Sequence, residues 1–253
     1  MPPASWERRH PAEAESWAFD FFSADGSLGG FVGITFRPRA GVGWYWAGLV
    51  GDGRPYLLVR DLEVPLPRQP GSRDVRSEGL WANINCEVPF EHWSLGLEAF
   101  GVALDDPDQA LAGERGDRVA LGLDLEWEAG AKVVGDERRY AQPGTVHGEV
   151  LVGGAGVETI AFDGHGWRRH AREAVDSLTP ARSWLGGRLD DGTPQLLEPL
   201  PEDVGVEPLH RAPLALEAGG RHAVLERWLC RFAAPGRPGG TGWAEWLRPR
   251  AGS

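Results

Sequence analysis

Acidic side chains and a histidine lie close to tryptophans in the stretch WANINCEVPFEHWSLGLEAFGVALDDP, residues 81–107. Its ionisable and large aromatic members are Trp81, Glu87, Glu91, His92, Trp93 and Glu98. A carboxyl group in apolar surroundings has a raised pKa, because burial disfavours its charged form. Beside a histidine, such a group could exchange protons near neutral pH. The alternative interpretation is that these polar side chains face water or pair with arginines.

Other ionisable and aromatic residues along the chain extend this set. The candidate catalytic residues are Glu87, Glu91, His92, His147 and His170, with Glu149 and Glu245 as further proton-handling groups. The candidate substrate-binding residues are Trp44, Trp46, Trp81, Trp93, Glu98, Trp243 and Trp246. This combination suits acid chemistry on an apolar substrate, because aromatic faces stabilise a developing cation. The alternative is that the tryptophans only fill cores.

Several classes of function are disfavoured by what the sequence lacks. No histidine spacing matches a zinc motif, no G-x-S-x-G nucleophile elbow occurs, and no G-x-G-x-x-G loop leads into a helix. We therefore expect no metal site and no nucleophilic hydrolase. A formal charge of -11 argues against nucleic-acid binding. Neither a signal peptide nor a membrane span is evident, which predicts a cytoplasmic protein. The sequence does not predict an oligomeric state.

The sequence predicts that β-strands position these residues. The 36 glycines and 20 prolines punctuate many short segments, which favours an all-β architecture. In GVGWYWAGLVG, Trp44 and Trp46 share one face of a strand while Tyr45, Ala47 and Leu49 share the other. In VALGLDLEWEAGA, the residues at 121, 123, 125 and 127 are apolar and alternate with acidic ones. We predict two consecutive halves, residues 16–140 and 141–253, after a flexible lead-in at residues 1–15.

Three segments carry a resemblance to a known family. CEVPFEHWSLGLEAFGVALDDP, YAQPGTVHGEVLVG and GTGWAEWLRP resemble an uncharacterised actinobacterial branch of the carotenoid hydratase (hydroxyneurosporene synthase) and AttH-like superfamily. The resemblance covers roughly residues 17–249 and implies two lipocalin-like antiparallel β-barrel or sandwich halves with a ligand cavity in or between them. It also implies an apolar substrate, often isoprenoid, and no organic cofactor.

One motif of that branch is altered in this chain. The branch carries D-H-S-W-G at the start of its second half, and the matching residues here run from Arg169 to Glu173. Only His170 keeps the residue type of the motif. Arg169 stands in the place of the aspartate. If the Asp-His pair supplies the proton for the family's reaction, this chain lacks the aspartate of that pair. The protein would then be a binding protein, use the first-half carboxylates, or direct a cyclisation through cavity shape.

Three hypotheses about function follow. The first is a cofactor-independent hydratase, cyclase or isomerase for an apolar isoprenoid or polyketide-like molecule, with Glu91 or Glu87 as general acid and His92 or His170 as its partner. The second is a carrier or sensor that uses the same cavity without chemistry. The third is a structural protein with filled barrels. The first two require a cavity of about 300 Å³ or more.

Overall fold

Nearly all of the chain forms antiparallel β-strands. The structure is a computed structural model that describes residues 1–154, 156–173, 178, 181–218 and 220–250, without the side chains of residues 173 and 218. Short 3-10 helices span Ala4–Glu7 and Pro107–Leu111. The strands are β1 (Ala14–Phe22), β2 (Leu28–Arg37), β3 (Val42–Gly51), β4 (Tyr56–Pro65), β5 (Val75–Ser77), β6 (Leu80–Val88), β7 (His92–Leu104), β8 (Asp117–Ala129), β9 (Val134–Gly135), β10 (Arg139–Gly153), β11 (Val157–Glu173), β12 (Arg182–Leu189), β13 (Pro194–Leu197), β14 (Gly205–Arg211), β15 (Leu214–Ala218), β16 (Arg221–Ala233) and β17 (Gly239–Arg250). The all-β, lipocalin-like fold class is confirmed.

The first sheet closes on itself. Its strands follow the order β4-β3-β2-β1-β11-β10-β8-β7, and β4 also pairs with β7, so these eight strands form a barrel. Strands β5 and β6 extend the sheet beyond β7, and β9 pairs with β10. Closure removes most of the free strand edges that would otherwise expose unpaired backbone groups.

Strict alternation decides what fills the barrel. Tyr45, Ala47 and Leu49 belong to the core inside it, whereas Trp44 and Trp46 belong to a second core outside it. The apolar positions of β8, Leu121, Leu123, Leu125 and Trp127, are likewise buried inside the barrel. The two faces predicted for β3 and β8 are therefore confirmed, because successive side chains of a strand point to opposite sides.

A second sheet covers one side of the barrel. Its order is β13-β12-β17-β16-β14, with β15 pairing with the other end of β16. The second core lies between this sheet and the barrel and contains Phe31, Trp167, Leu229 and Trp243. A small third core lies on the opposite face of the second sheet, around Leu185 and Phe232.

The expected boundary between halves falls inside β10. That strand pairs along its length with β11 and over residues 144–153 with β8, both members of the first sheet. The chain therefore passes from the first sheet to the second after Glu173 and not near residue 140. The division into two folding halves stays a prediction.

The N-terminal residues pack against one end of the barrel. Glu7 is buried and forms an ion pair with the buried Arg168 of β11, whose Nη1 lies 3.0 Å from Glu7 Oε2. Tyr140 donates a hydrogen bond of 2.9 Å to the same carboxylate, and Arg168 Nε donates one of 3.0 Å to Gln142. The Trp6 ring lies 5.8 Å from the Tyr140 ring. Within the expected lead-in, these contacts fix residues 6 and 7 to the barrel, and β1 already begins at Ala14.

Candidate active site between the two sheets

A cavity of about 400 Å³ lies between the barrel and the second sheet. Its apolar wall includes Ala14, Ala18, Trp44, Trp46, Ala141, Ala171, Leu178, Trp184, Leu196, Leu216, Leu225 and Leu247. Its charged lining residues are Arg139, Arg169, Arg182, Glu198, Arg227 and Glu245. The volume exceeds the 300 Å³ or so expected of a small-molecule site, and the mostly apolar wall with a few polar groups is typical of such sites.

Two glycines make room for the indole rings of this wall. A Cβ atom on Gly33 would lie 2.2 Å from Cε2 of Trp46, on the neighbouring strand. A Cβ atom on Gly186 would lie 2.3 Å from Cζ2 of Trp184, two residues earlier on β12. Any larger residue would displace these rings, so both glycines are required for the observed shape of the cavity.

Four ionised side chains meet at one side of the cavity. Arg169 binds Glu245 through two hydrogen bonds of 3.0 and 2.8 Å, and Arg227 Nη1 lies 3.1 Å from the same carboxylate. Arg227 also pairs with the buried Asp20, and Arg169 lies 3.5 Å from it. The guanidinium of Arg169 stacks on the ring of Trp184, 4.1 Å from its centroid. Such a network keeps fixed charges next to an apolar space.

The pKa of Glu245 reflects this arrangement. Burial alone would raise its pKa, but Arg169 and Arg227 outweigh burial and lower the pKa to about 2. Burial would lower the pKa of Arg169, and here Glu245 and Asp20 raise it instead. Both groups are therefore fully charged at neutral pH and serve to bind and orient. Neither exchanges protons in that range.

Arg169 of β11 faces the cavity, and its neighbour His170 therefore faces the barrel interior, where it pairs with the core residue Trp17. His170 has a carboxylate partner there. Its Nε2 lies 2.9 Å from Glu15 Oε1, across the β1–β11 pair, and its ring packs 4.9 Å from Trp17 and 5.0 Å from Tyr140. Burial lowers the pKa of His170, although Glu15 opposes the change. Burial would raise the pKa of Glu15, and hydrogen bonds from His170 and His10 lower it. A neutral imidazole thus lies beside an ionised carboxylate inside the barrel, on the face of the sheet opposite to the cavity.

The same carboxylate also contacts His10, and the three residues have metal-binding side chains. His10 Nδ1 lies 2.8 Å from Glu15 Oε1, and the backbone N–H of His10 donates to Glu15 Oε2 at 2.7 Å. Among the described residues, this is the group of three histidine, cysteine or acidic side chains whose ligand atoms lie within 4.8 Å of one another. Direct hydrogen bonds join both histidines to the Glu15 carboxylate, and the absence of a metal stays a prediction.

Most of the acidic residues and two of the histidines proposed from the sequence do not reach the cavity. Glu87, Glu91, Glu98 and His147 are exposed, and His92 is paired with Glu126 at 2.6 Å on the outer surface. None of these five lines the cavity. The reason is strand parity: along β7, Trp93, Leu95 and Leu97 point into the barrel, so His92 and Glu98 point out. The structure does not group them into one site.

The predicted tryptophans divide among several environments. Trp44 and Trp46 line the cavity, and Trp246 lines an adjoining outer pocket of about 510 Å³. Trp93 is buried inside the barrel, while Trp243 is buried in the second core and donates a 3.0 Å hydrogen bond to the carbonyl of Phe21. Trp81 is half-buried beside Arg76. Of the catalytic candidates, His170 alone borders the cavity, and its side chain faces the barrel interior.

The sequence did not predict the roles of three residues. These are Glu15 as the partner of His170, and Arg169 and Trp184 as residues that line the cavity. Glu15 lies 155 positions from its partner, and no local pattern links them. The alternating apolar run of β1 was the available signal, because it places Glu15, Trp17 and Phe19 on one face. The altered motif therefore keeps a carboxylate for His170, supplied by β1 and not by the position of Arg169.

Comparison with known proteins agrees with a lipocalin-like, all-β class. Residues 3–195 match a family described as a domain of unknown function (DUF7064), and the chain belongs to that family. No curated protein matches the sequence. The structure is similar to the crystal structure of a protein provisionally named AttH from Nitrosomonas europaea, with 14% identity, a TM-score of 0.56, and coverage of 97% of this chain and 96% of that one.

Two further solved structures are similar. CghA with Sch210972 shares 10% identity at a TM-score of 0.50, covering 96% of this chain and 89% of that chain. Kievitone hydratase from Nectria haematococca shares 12% identity at a TM-score of 0.47, covering 92% and 88%. The likeness to the AttH structure, at a TM-score of 0.56, supports the AttH-like fold expected from the resemblance, while the actinobacterial branch stays a prediction. Within the described residues, no helix is both long and apolar enough to cross a membrane.

Proposed function

We propose that this protein is a cofactor-independent hydratase, cyclase or isomerase that acts on an apolar small molecule, isoprenoid or polyketide-like, in the cavity between the two sheets. The observation that carries the proposal is the meeting of an indole-lined cavity of about 400 Å³ with the fixed charges of Arg169 and Glu245. An apolar wall binds and orients the substrate, and the fixed charges stabilise charge that develops on it.

Arg169 supplies the electrostatic part of this proposal. It is held by Glu245 and stacked on Trp184, so it presents a fixed positive charge to negative charge that develops on the substrate. The His170–Glu15 pair faces the barrel interior and joins β1 to β11 without contacting the substrate. Trp44, Trp46 and Trp184 hold the substrate in a reactive conformation, which by itself accelerates a cyclisation. The exposed carboxylates Glu87 and Glu91 have no part in this scheme.

A second candidate function is a carrier for an apolar metabolite. The observation that favours it is that Glu245 and Arg169 both stay charged at neutral pH, which suits binding more than proton transfer. The structure of CghA with Sch210972 supports the weaker statement that a similar fold can hold a small molecule.

Purification of the protein from its own host, followed by native mass spectrometry, tests both functions. An apolar metabolite should accompany the folded chain and be released on denaturation. Incubation of the free metabolite with fresh protein then separates the candidates, because an enzyme converts it and a carrier returns it unchanged. In the enzyme case, Arg169→Gln should slow conversion about 100-fold, as loss of one fixed donor that stabilises the transition state does. The matched variant Arg115→Gln, at an exposed position before β8, should keep full activity.

A further inference from the structure

The cavity wall presents several buried hydrogen-bond donors that have no acceptor. They are the indole N–H groups of Trp46 and Trp184 and the Nε atoms of Arg169 and Arg227. Among the described lining residues, the only other buried side-chain nitrogen or oxygen without a partner is His170 Nδ1, which lies on the barrel-interior face of β11. Native proteins leave few buried polar groups unsatisfied, because each one loses its bonds to water. Four donors around one cavity therefore indicate that the missing partner is an acceptor.

These donors are held in place by their surroundings. The ring of Trp46 lies against Gly33, and the ring of Trp184 lies against Gly186 on one side and under the Arg169 guanidinium on the other. Both terminal nitrogens of Arg169 are taken by Glu245, which leaves Nε as its available donor. The donors are thus fixed before any ligand enters, so their orientation costs little on binding.

We propose that the molecule bound in the cavity is an apolar compound with a carbonyl oxygen, to which Trp46, Trp184 and Arg169 offer hydrogen bonds. This inference rests on the proposed function and names its substrate class. A carbonyl oxygen accepts without needing to donate, which matches a wall rich in unpartnered N–H groups. The chemistry is also consistent: when a reaction develops negative charge on the carbonyl oxygen, fixed donors stabilise that charge.

The test compares a ketone with a hydrocarbon of the same shape. Cyclododecanone and cyclododecane compete with the neutral fluorescent dye N-phenyl-1-naphthylamine for the purified protein. If the cavity offered no hydrogen bonds, the ketone would bind more weakly than the hydrocarbon, because its carbonyl would lose its hydrogen bonds to water. We expect the ketone instead to bind at least about tenfold more tightly, the equivalent of one or two good hydrogen bonds.

Phenylalanine variants separate the N–H groups from the aromatic surface. Trp184→Phe and Trp46→Phe should each weaken ketone binding about five- to tenfold and leave hydrocarbon binding nearly unchanged. Trp44→Phe is the matched control, because Trp44 lines the same cavity and its indole nitrogen is not among the unpartnered buried atoms. It should affect both probes alike.

The outcomes distinguish this inference from the proposed function. Equal binding of the two probes, or a ketone preference that survives both variants, overturns the carbonyl assignment and leaves the cavity as a site for hydrocarbons. Failure of the dye and both probes to bind overturns the cavity as a ligand site, and with it the proposed function.

Discussion

Replacement of Glu7 by glutamine should strongly destabilise the protein. Glu7 and Arg168 form an ion pair whose side chains are 2% and 1% exposed. The amide of glutamine has nearly the same shape as the carboxylate and can still accept hydrogen bonds, but it carries no charge. Arg168 would then remain as a buried cation with only the neutral Gln142 and four nearby aromatic rings to stabilise it.

The size of the effect follows from this burial. Removal of one partner from a buried ion pair costs about 3–5 kcal/mol, because the remaining charge stays desolvated. For a chain of this length, 1 kcal/mol corresponds to a change in Tm of about 2–4 °C. The Tm of Glu7→Gln should therefore lie about 6–20 °C below that of the natural sequence.

Thermal unfolding followed by circular dichroism measures this change. The control is Glu13→Gln, in the same N-terminal segment, because Glu13 pairs with Arg39 at a position where both side chains are substantially exposed. Exposed pairs contribute about 0–1 kcal/mol, so its Tm should fall by no more than about 4 °C. If Glu7→Gln unfolds within 2 °C of the control, Glu7 does not compensate Arg168 and the N-terminal segment is not part of the barrel's stable structure.

Three further predictions concern the cavity, the ion pairs of Glu245 and the buried His170. Ala18→Phe places a ring in the space between the sheets, so dye binding should be abolished while Tm stays within about 4 °C of the parent; unchanged dye affinity would contradict the cavity. Glu245→Gln should lower stability by about 3–5 kcal/mol at pH 7, because two guanidiniums lose an anionic partner. The folded-state pKa of Glu245 is depressed to about 2, so its contribution is complete above the unfolded pKa and disappears as pH falls from about 5 towards 2. Urea titrations at several pH values should show the two proteins converging; a constant gap would refute the charge argument. Because burial lowers the pKa of His170, stability should fall as pH drops below about 6.5, and His170→Gln should flatten that slope, unlike the exposed control His222→Gln.

Local sequence patterns predicted the strands and their faces well. The alternation in β3 assigned Trp44 and Trp46 to one side and Tyr45 to the other, and the structure agrees. The same reasoning, applied to β7, would have turned His92 and Glu98 away from the barrel core. The error came from treating closeness along the chain as closeness in a site, although neighbours on a strand point to opposite faces.

The site itself depends on pairings that no local pattern encodes. The register Trp17↔His170 brings Glu15 to the imidazole, and it is set by contacts between strands far apart in the chain. Which outer face of the barrel becomes a cavity wall is decided by where the second sheet packs. Trp184 enters the site from that sheet, so its role became visible only in three dimensions.

The most direct test of the account is native mass spectrometry of the protein and of Ala18→Phe, both purified from the natural host. The account predicts one apolar, carbonyl-containing molecule per chain in the natural sequence and none in the variant with the filled cavity. A chain that carries no small molecule, or equal occupancy in both proteins, would contradict the claim that the space between the two sheets is a ligand-binding site.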